Sequence, residues 1–262
     1  MEQDRKIITG VIKTNSQIAE DVFEMVITTD TCKDFVPGQF INIYLDDKSM
    51  MLPRPISICD ANEEHLTLIY KVIGNGTKHL SSYSINQKVS FSTPLGNGYH
   101  LREDYDNRTV SLVAGGIGAV PLVGLANELN KRHAVIDVFL GFQSEVLLTD
   151  KFEKSCRNTY ISTNNGSIGF FGNILDFLKT SKLIYDDYFA CGPRVMLKAV
   201  CEYVREINRT VQISIEERMG CGYGACLGCS CEINENGKVV KKSVCKHGPI
   251  FWGDEVVFNK EN

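Results

Sequence analysis

Val110-Ser-Leu-Val-Ala-Gly-Gly-Ile-Gly-Ala-Val-Pro121 begins aliphatic and ends in three closely spaced glycines and a proline. The aliphatic half suits a buried strand and the glycines a sharp turn. Proline is accepted in a first helical turn, where its missing N–H has no partner to lose. No charge appears from Val110 to Ala126, which touches the lower length limit for a membrane span. Gly115, Gly116, Gly118 and Pro121 interrupt that run, so it reads as strand, turn and helix rather than as a span.

The same rhythm continues downstream. Val135–Gly141, Thr159–Thr163, Asp187–Ala190 and Val211–Ile215 are apolar runs of strand length. Between them Pro121–Arg132, a weaker Glu145–Lys154, Gly172–Lys182 and Arg194–Ile207 carry helical periodicity. Alternation of this kind predicts a Rossmann-like domain over residues 102–213, with five parallel strands and helices on both faces. Ligands of such sheets bind beyond the carboxyl ends of the strands. Gly115, Gly116, Gly118 and Pro121 lie at one such end, in the setting that makes a glycine loop credible for pyrophosphate, although proline stands in place of the third glycine of G-x-G-x-x-G. Cys191-Gly192-Pro193 closes the fourth strand and leaves room for a planar ring. The second strand ends in Gly141-Phe-Gln-Ser-Glu145 without a cation for a 2′-phosphate, which favours NADH over NADPH.

Upstream, residues 1–101 read as short strands at Ile7–Lys13, Val22–Thr28, Gln39–Leu45, Ile56–Cys59, Leu66–Val72 and Lys88–Ser92, an all-β pattern that predicts a small closed antiparallel barrel. Two places carry chemistry. Arg54-Pro55-Ile56-Ser57 offers a guanidinium suited to a pyrophosphate and a hydroxyl able to bond a flat heterocycle; the plainer reading is a strand start stiffened by Pro55. Gly74-Asn-Gly76-Thr77 opens a short helix with Thr77 as its expected cap, either a phosphate cradle or an ordinary β-to-helix turn.

Residues 214–262 form a small third module around the run Arg218-Met-Gly-Cys-Gly-Tyr-Gly-Ala-Cys-Leu-Gly-Cys-Ser-Cys231. Cys221, Cys226 and Cys229 are spaced C-x4-C-x2-C, and Cys245 follows. That is the plant-type [2Fe–2S] spacing, not the paired C-x2-C knuckles of most four-cysteine zinc sites. Gly220, Gly222, Gly224 and Gly228 let the backbone curl so that N–H groups point at sulfur. Cys231 is extra to the pattern.

The bulk numbers fit this picture. Hydrophobic residues make up 43% and charged residues 23%, the balance of an ordinary globular chain. A net charge of −4 with no basic stripe argues against nucleic acid as partner. Of the ten cysteines, five fall between 221 and 245, which favours a metal site in a reducing compartment over disulfides. The N-terminus Met1-Glu-Gln-Asp-Arg-Lys6 is charged and no apolar stretch follows, so a cytoplasmic location is expected.

Arg54-Pro-Ile-Ser57, Gly115-Gly-Ile-Gly118 with Pro121, Cys191-Gly-Pro193 and the cysteine run together resemble the ferredoxin–NADP reductase superfamily. Within it the likeness is to the electron-transfer subunits of NAD-dependent (class 1B) dihydroorotate dehydrogenases. It spans almost the whole chain and is most specific from Ser214-Ile-Glu216 through Cys229, then Val244-Cys-Lys-His-Gly-Pro-Ile-Phe251. The resemblance implies a Greek-key barrel binding FAD, with Arg54 and Pro55–Ser57 at the diphosphate and isoalloxazine, Ile69, Tyr70 and Lys71 lining the flavin, and Gly76 and Thr77 on the phosphates. It implies NAD on Gly115, Gly116, Gly118, Pro121, Cys191, Gly192 and Pro193, and a [2Fe–2S] cluster on Cys221, Cys226, Cys229 and Cys245. Ile56 stands where the superfamily usually has an aromatic, and His247 where relatives often have an acid. Ser57 and Cys191 are expected to orient the flavin and shape the nicotinamide site; Glu216 either approaches the flavin or is an exposed strand-end carboxylate.

The chemistry follows from electron counting. A nicotinamide exchanges a hydride and the cluster single electrons, so FAD stands between them. The three modules use all 262 positions, and the FMN-bearing (β/α)8 catalytic subunit that this family needs takes about 250 residues on its own. The expectation is therefore one subunit of a complex in pyrimidine (UMP) biosynthesis, a heterotetramer of two of each, carrying electrons from dihydroorotate through partner FMN, cluster and FAD to NAD+. One rival keeps the cofactors but serves ferredoxin, hydrogenase or sulfide-type partners. Another is a non-catalytic interaction protein stapled by Zn2+.

Overall fold

The structure, a computed structural model, describes residues 6–29 and 34–258. Met1–Arg5, on which part of the expectation of an unexported chain rests, lie outside the described residues.

The first six strands are β1 (Ile7–Ala19), β2 (Val22–Thr28), β3 (Phe40–Tyr44), β4 (Arg54–Ala61), β5 (His65–Lys71) and β6 (Lys88–Ser92), with helix α1 (Asn75–Ser81) between the last two. They close into an antiparallel barrel in the order β1-β2-β5-β4-β3-β6. Alternation puts Ile12, Met25, Ile27, Ile41, Ile43, Ile58, Leu68 and Phe91 inside, all essentially without solvent exposure. β1 is longer than Ile7–Lys13 because its polar second half pairs with β2 as far as Ala19↔Val22, past two register shifts. There Asn15 donates from Nδ2 to the carbonyls of Leu80 (3.1 Å) and Tyr83 (3.0 Å) and accepts from the Tyr70 hydroxyl (2.9 Å), tying α1 to the barrel.

The α/β part comprises β7 (Thr109–Gly115), α2 (Val120–Lys131), β8 (Val135–Phe142), α3 (Thr149–Phe152), β9 (Asn158–Thr163), β10 (Phe170–Phe171), α4 (Ile174–Ser181), β11 (Asp187–Cys191), α5 (Arg194–Glu206) and β12 (Val211–Ser214). A hairpin of β13 (Ser230–Glu235) and β14 (Lys238–Ser243), a one-turn helix α6 (Val244–His247) and β15 (Ile250–Trp252) follow. The five expected parallel strands run in the order β9-β8-β7-β11-β12. Two short strands extend the sheet to seven, β10 parallel beside β9 and β15 antiparallel beside β12. Two or three residues are too few to show alternation in a sequence. The helix expected over Glu145–Lys154 shrinks to Thr149–Phe152, because Leu148 takes a left-handed φ of 62° and stops a helix from starting earlier. Val110–Ala126 is strand, turn and buried helix. No helix among the described residues is long and apolar enough to cross a membrane.

At the other end of the sheet, Asp137 on β8 is fully buried. It accepts two bonds from Arg157 (3.0 and 2.6 Å), one from Asn158 (3.0 Å) and one from the Tyr185 hydroxyl (2.8 Å). Four donors satisfy the oxygens of a carboxylate that has no access to water.

The chain forms two compact units. The first joins the barrel, through Gly98, to Glu217–Ser230 and Ser243–Pro249; the second holds Tyr99–Glu216, Cys231–Lys242 and the residues from Ile250 on.

Candidate functional site

Arg54 starts β4, and its Nη1 donates to the Leu52 carbonyl at 2.6 Å, which turns the guanidinium toward the loop after β5. There it fills the space that a side chain on Gly76 would take. An open cavity of about 340 Å³ is lined by Arg54, Ile73, Gly74, Asn75, Gly76 and Thr77. Two stretches twenty residues apart in sequence are thus one site with a cation on one wall and a helix start on the other. Thr77 is not the cap. Gly74 holds that position, and Thr77, three residues on, accepts from the backbone N–H groups of Ile73 (3.0 Å) and Gly74 (3.3 Å). A cation and a small-residue backbone at contact distance fit a diphosphate.

The strand alternation sorts the neighbouring candidates. Ile56 and Tyr70 turn inward and belong to the barrel core, while Ser57, half-buried, and Lys71, exposed, lie on the other face. Pro55 sits opposite Asn42 and Ser57 opposite Phe40. Ile69 is buried, also away from the core.

In the same unit the four cysteines form two thiol pairs. Cys221 Sγ accepts from the N–H groups of Tyr223 (3.5 Å) and Cys226 (3.4 Å), and the Cys226 thiol bonds it as well. Burial opposes ionisation of Cys221, but these donors with the Ala225 N–H outweigh it and bring the thiol down to about 6. The second pair joins Cys229 and Cys245: Cys245 N–H points at Cys229 Sγ (3.4 Å), and burial with the adjacent Cys229 pushes the Cys245 thiol up to about 12. Leu227 and Gly224, at φ 57° and 88°, supply left-handed turns in the loop that carries Cys221, Cys226 and Cys229. Among the described residues no three His, Cys, Asp or Glu side chains converge on one point as a mononuclear site requires. Two thiols for each of two irons fit a [2Fe–2S] cluster. Cys231 is buried in the first strand of the hairpin, outside this set.

In the second unit Gly115 ends β7 and Cys191 ends β11, neighbouring parallel strands on opposite sides of the point where the strand order reverses. Gly116, φ 55°, and Gly118 lie in a single 3-10 turn, and Pro121 follows in the first turn of α2. The two loops touch through backbone. A Cβ on Gly118 would stand 2.5 Å from the Cys191 carbonyl oxygen, and one on Gly115 would stand 2.7 Å from Pro193 Cδ. Gly192 approaches Gly115 N as closely, at 2.9 Å for a built Cβ. Burial pushes the Cys191 thiol up to about 12; a bond with Ser214 opposes this, and the Glu216 carboxylate adds to it. Cys191 and Glu216 are therefore neighbours, and Ser57 belongs to the other unit.

Two residues had no signal in the sequence. Asn42 falls on the outer face of β3 between the inward Ile41 and Ile43, where a polar residue is unremarkable, yet it is fully buried. Tyr99 is buried with its hydroxyl unpaired among the described residues and its ring edge-on to Phe189; burial, with the nearby Cys191, drives its pKa well upward.

The profile of the iron-sulfur cluster binding domain of dihydroorotate dehydrogenase B matches residues 216–257. The chain is 38% identical to the dihydroorotate dehydrogenase B (NAD(+)) electron transfer subunit of Caldanaerobacter subterraneus subsp. tengcongensis over 94% of this chain and 97% of that one. It is 38% identical to the subunit of the same name from Fusobacterium nucleatum subsp. nucleatum, over 96% and 98%. Among solved structures, an NADH-dependent reduced ferredoxin-NADP oxidoreductase studied for flavin-based electron bifurcation superposes with a TM-score of 0.84 at 28% identity, covering 95% of this chain and 89% of the other. The cytochrome b5 reductase domain of Ulva prolifera nitrate reductase shares the fold, with a TM-score of 0.64 at 17% identity over 78% and 94%. The chain belongs to the electron transfer subunits of NAD(+)-dependent dihydroorotate dehydrogenase B.

Proposed function

We propose that this subunit takes electrons released by dihydroorotate oxidation on an FMN-bearing catalytic partner and delivers them to NAD+, in a heterotetramer of two of each subunit serving pyrimidine synthesis. Its cofactors are FAD and a [2Fe–2S] cluster, with NAD as co-substrate; bound FAD supplies the exchange between hydride and single electrons that neither nicotinamide nor cluster supplies alone. The observation that carries the reading is that one compact unit contains both the Arg54–Gly76 cradle and the two thiol pairs.

The chain's own residues bind and orient. Arg54 and the N–H groups of Gly76 and Thr77 hold the diphosphate, and Pro55–Ser57 with Ile69–Lys71 frame the ring by strand backbone and by Ser57. Tyr70 and Ile56 contribute from beneath, since their side chains face the core. Cys221, Cys226, Cys229 and Cys245 hold the iron. Gly115, Gly116, Gly118 and Pro121 receive the nicotinamide nucleotide's diphosphate, and Cys191–Pro193 shape the place of its ring. Cys191 acts there as a neutral thiol, since its proton is held far above neutral pH.

The test is anaerobic preparation with iron, sulfide and FAD, followed by dihydroorotate-dependent NAD+ reduction with and without the purified catalytic subunit. Bound FAD, two irons per chain and activity only in the mixture are expected. A colourless zinc protein, or NADPH-dependent ferredoxin reduction with no response to dihydroorotate, would overturn the assignment.

A further inference from the structure

A fully buried amide joins the strand opposite Arg54 and Pro55 to the first cluster cysteine. Asn42 pairs with Pro55 across β3 and β4. Its Nδ2 donates to the backbone carbonyl of Cys221 at 2.9 Å, and its own N–H donates to Ser92 Oγ at 2.9 Å. Gly222, at φ 77°, lies directly on the amide: a Cβ there would stand 2.5 Å from both Nδ2 and Oδ1. Oδ1 has no hydrogen-bond partner among the described residues. All of these residues lie in the first unit.

The bond to the Cys221 carbonyl returns about 0.5–1.5 kcal/mol, so stability alone gives this asparagine little advantage. An unpaired buried amide oxygen costs about 1–3 kcal/mol, and leucine has the same branching without the oxygen. What leucine lacks is an N–H aimed at the carbonyl of a ligand cysteine. Hydrogen bonds and dipoles around the ligands of an iron–sulfur cluster set its potential and hold its geometry.

We propose, on the functional reading above, that Asn42 is a positioning residue for the one-electron step between flavin and cluster. It pins the Cys221 limb of the cluster loop to the flavin-binding edge of the barrel, and its N–H dipole favours the reduced cluster. In that step one electron moves between flavin and cluster, one iron changes between ferric and ferrous, and the flavin's proton exchanges with solvent. Asn42 keeps all its bonds and protons.

The experiment uses the full chain loaded anaerobically with FAD and cluster, with Asn42→Leu and Asn42→Asp compared with the unsubstituted protein. Three quantities are read: the fraction of cluster reduced at a fixed NADH to NAD+ ratio, the electron paramagnetic resonance spectrum of the reduced cluster, and the stopped-flow rate of cluster reduction by NADH. Asn42→Leu is expected to retain FAD, cluster and melting temperature, with a reduced fraction at least threefold lower, shifted resonance positions and at least tenfold slower reduction. Asn42→Asp, which replaces the donor with a negative charge, is expected to move all three further in the same direction. Unchanged spectrum, fraction and rate in Asn42→Leu would overturn the proposal. So would loss of the cluster from both variants with FAD retained, because Asn42 would then be only a strut. If the unsubstituted chain holds no FAD or no cluster, the functional reading falls first and takes this inference with it.

Discussion

The guanidinium of Arg54 occupies the space that a Cβ of Gly76 would need. The glycine is thus required by an arginine at the start of β4, not by its own backbone, since Gly76 is not among the glycines at positive φ. Gly76→Ala must push the guanidinium off the loop or open the loop. FAD affinity is expected to fall at least tenfold, read by flavin fluorescence on titration of apoprotein, with iron content unchanged. Normal FAD affinity in Gly76→Ala would remove Arg54 from the phosphate site.

Cys226→Ser breaks the first thiol pair, whose members bond each other. Loss of iron and of the cluster's resonance signal is expected, with FAD kept and NADH-to-dye activity at least partly retained. Dihydroorotate-dependent NAD+ reduction in the complex should drop to background. Full coupling in a cluster-free variant would show that electrons bypass the four thiolates.

Gly118→Ala places a methyl against the carbonyl oxygen of Cys191, where only 2.5 Å is available. Backbone cannot yield as a side-chain tip does, so the two strand-end loops must separate. KM for NADH is expected to rise at least tenfold while FAD content and cluster signal stay normal. An unchanged KM would place the nucleotide elsewhere.

Most of the fold was legible because the long strands and helices carry full periods of apolar residues, as in Phe40–Tyr44 and Val110–Val113. The spacing singled out Cys221, Cys226, Cys229 and Cys245, but it carries no signal for which thiol lies beside which. What escaped has physical reasons. Phe170–Phe171 and Ile250–Trp252 are too short to alternate. Leu148 adopts left-handed backbone, which a leucine gives no warning of. Thr77 has the chemistry of a cap but reaches back from the third helical position. Asn42 looks solvated because its strand's outer face is normally wet; the distant Cys221–Gly222 segment lies against it.

Arg157 donates two bonds to the buried Asp137, and its removal would leave that carboxylate with two neutral donors, Asn158 and Tyr185. Breaking a buried pair from one side costs about 3–5 kcal/mol, here reduced because Arg157 is half exposed. Arg157→Ala is expected to destabilise by about 2 kcal/mol in urea unfolding, with iron and FAD content normal in the folded fraction. An effect under about 0.5 kcal/mol, the size of an ordinary surface change, would show the network carries little.

Three thiols outside the cluster set, Cys156, Cys191 and Cys201, are pushed up to about 12, chiefly by burial. Below pH 9 they are protonated in folded and unfolded chains alike, and the stability they contribute is complete. Between pH 9 and 12 the unfolded chain gives up protons that the folded chain keeps, so unfolding becomes easier as pH rises. Each thiol should cost about 1 kcal/mol by pH 10, on the scale of 1.36 kcal/mol per pKa unit. Urea midpoints measured anaerobically from pH 8 to 10.5 are therefore expected to fall, and Cys191→Ser should fall less steeply than the unsubstituted chain. NADH-to-dye activity between pH 7 and 9 should show no inflection removed by Cys191→Ser, because the thiol keeps its proton throughout. An inflection that disappears with the substitution would mean that Cys191 ionises near neutral pH, and its place as a neutral wall beside the nicotinamide would have to be given up.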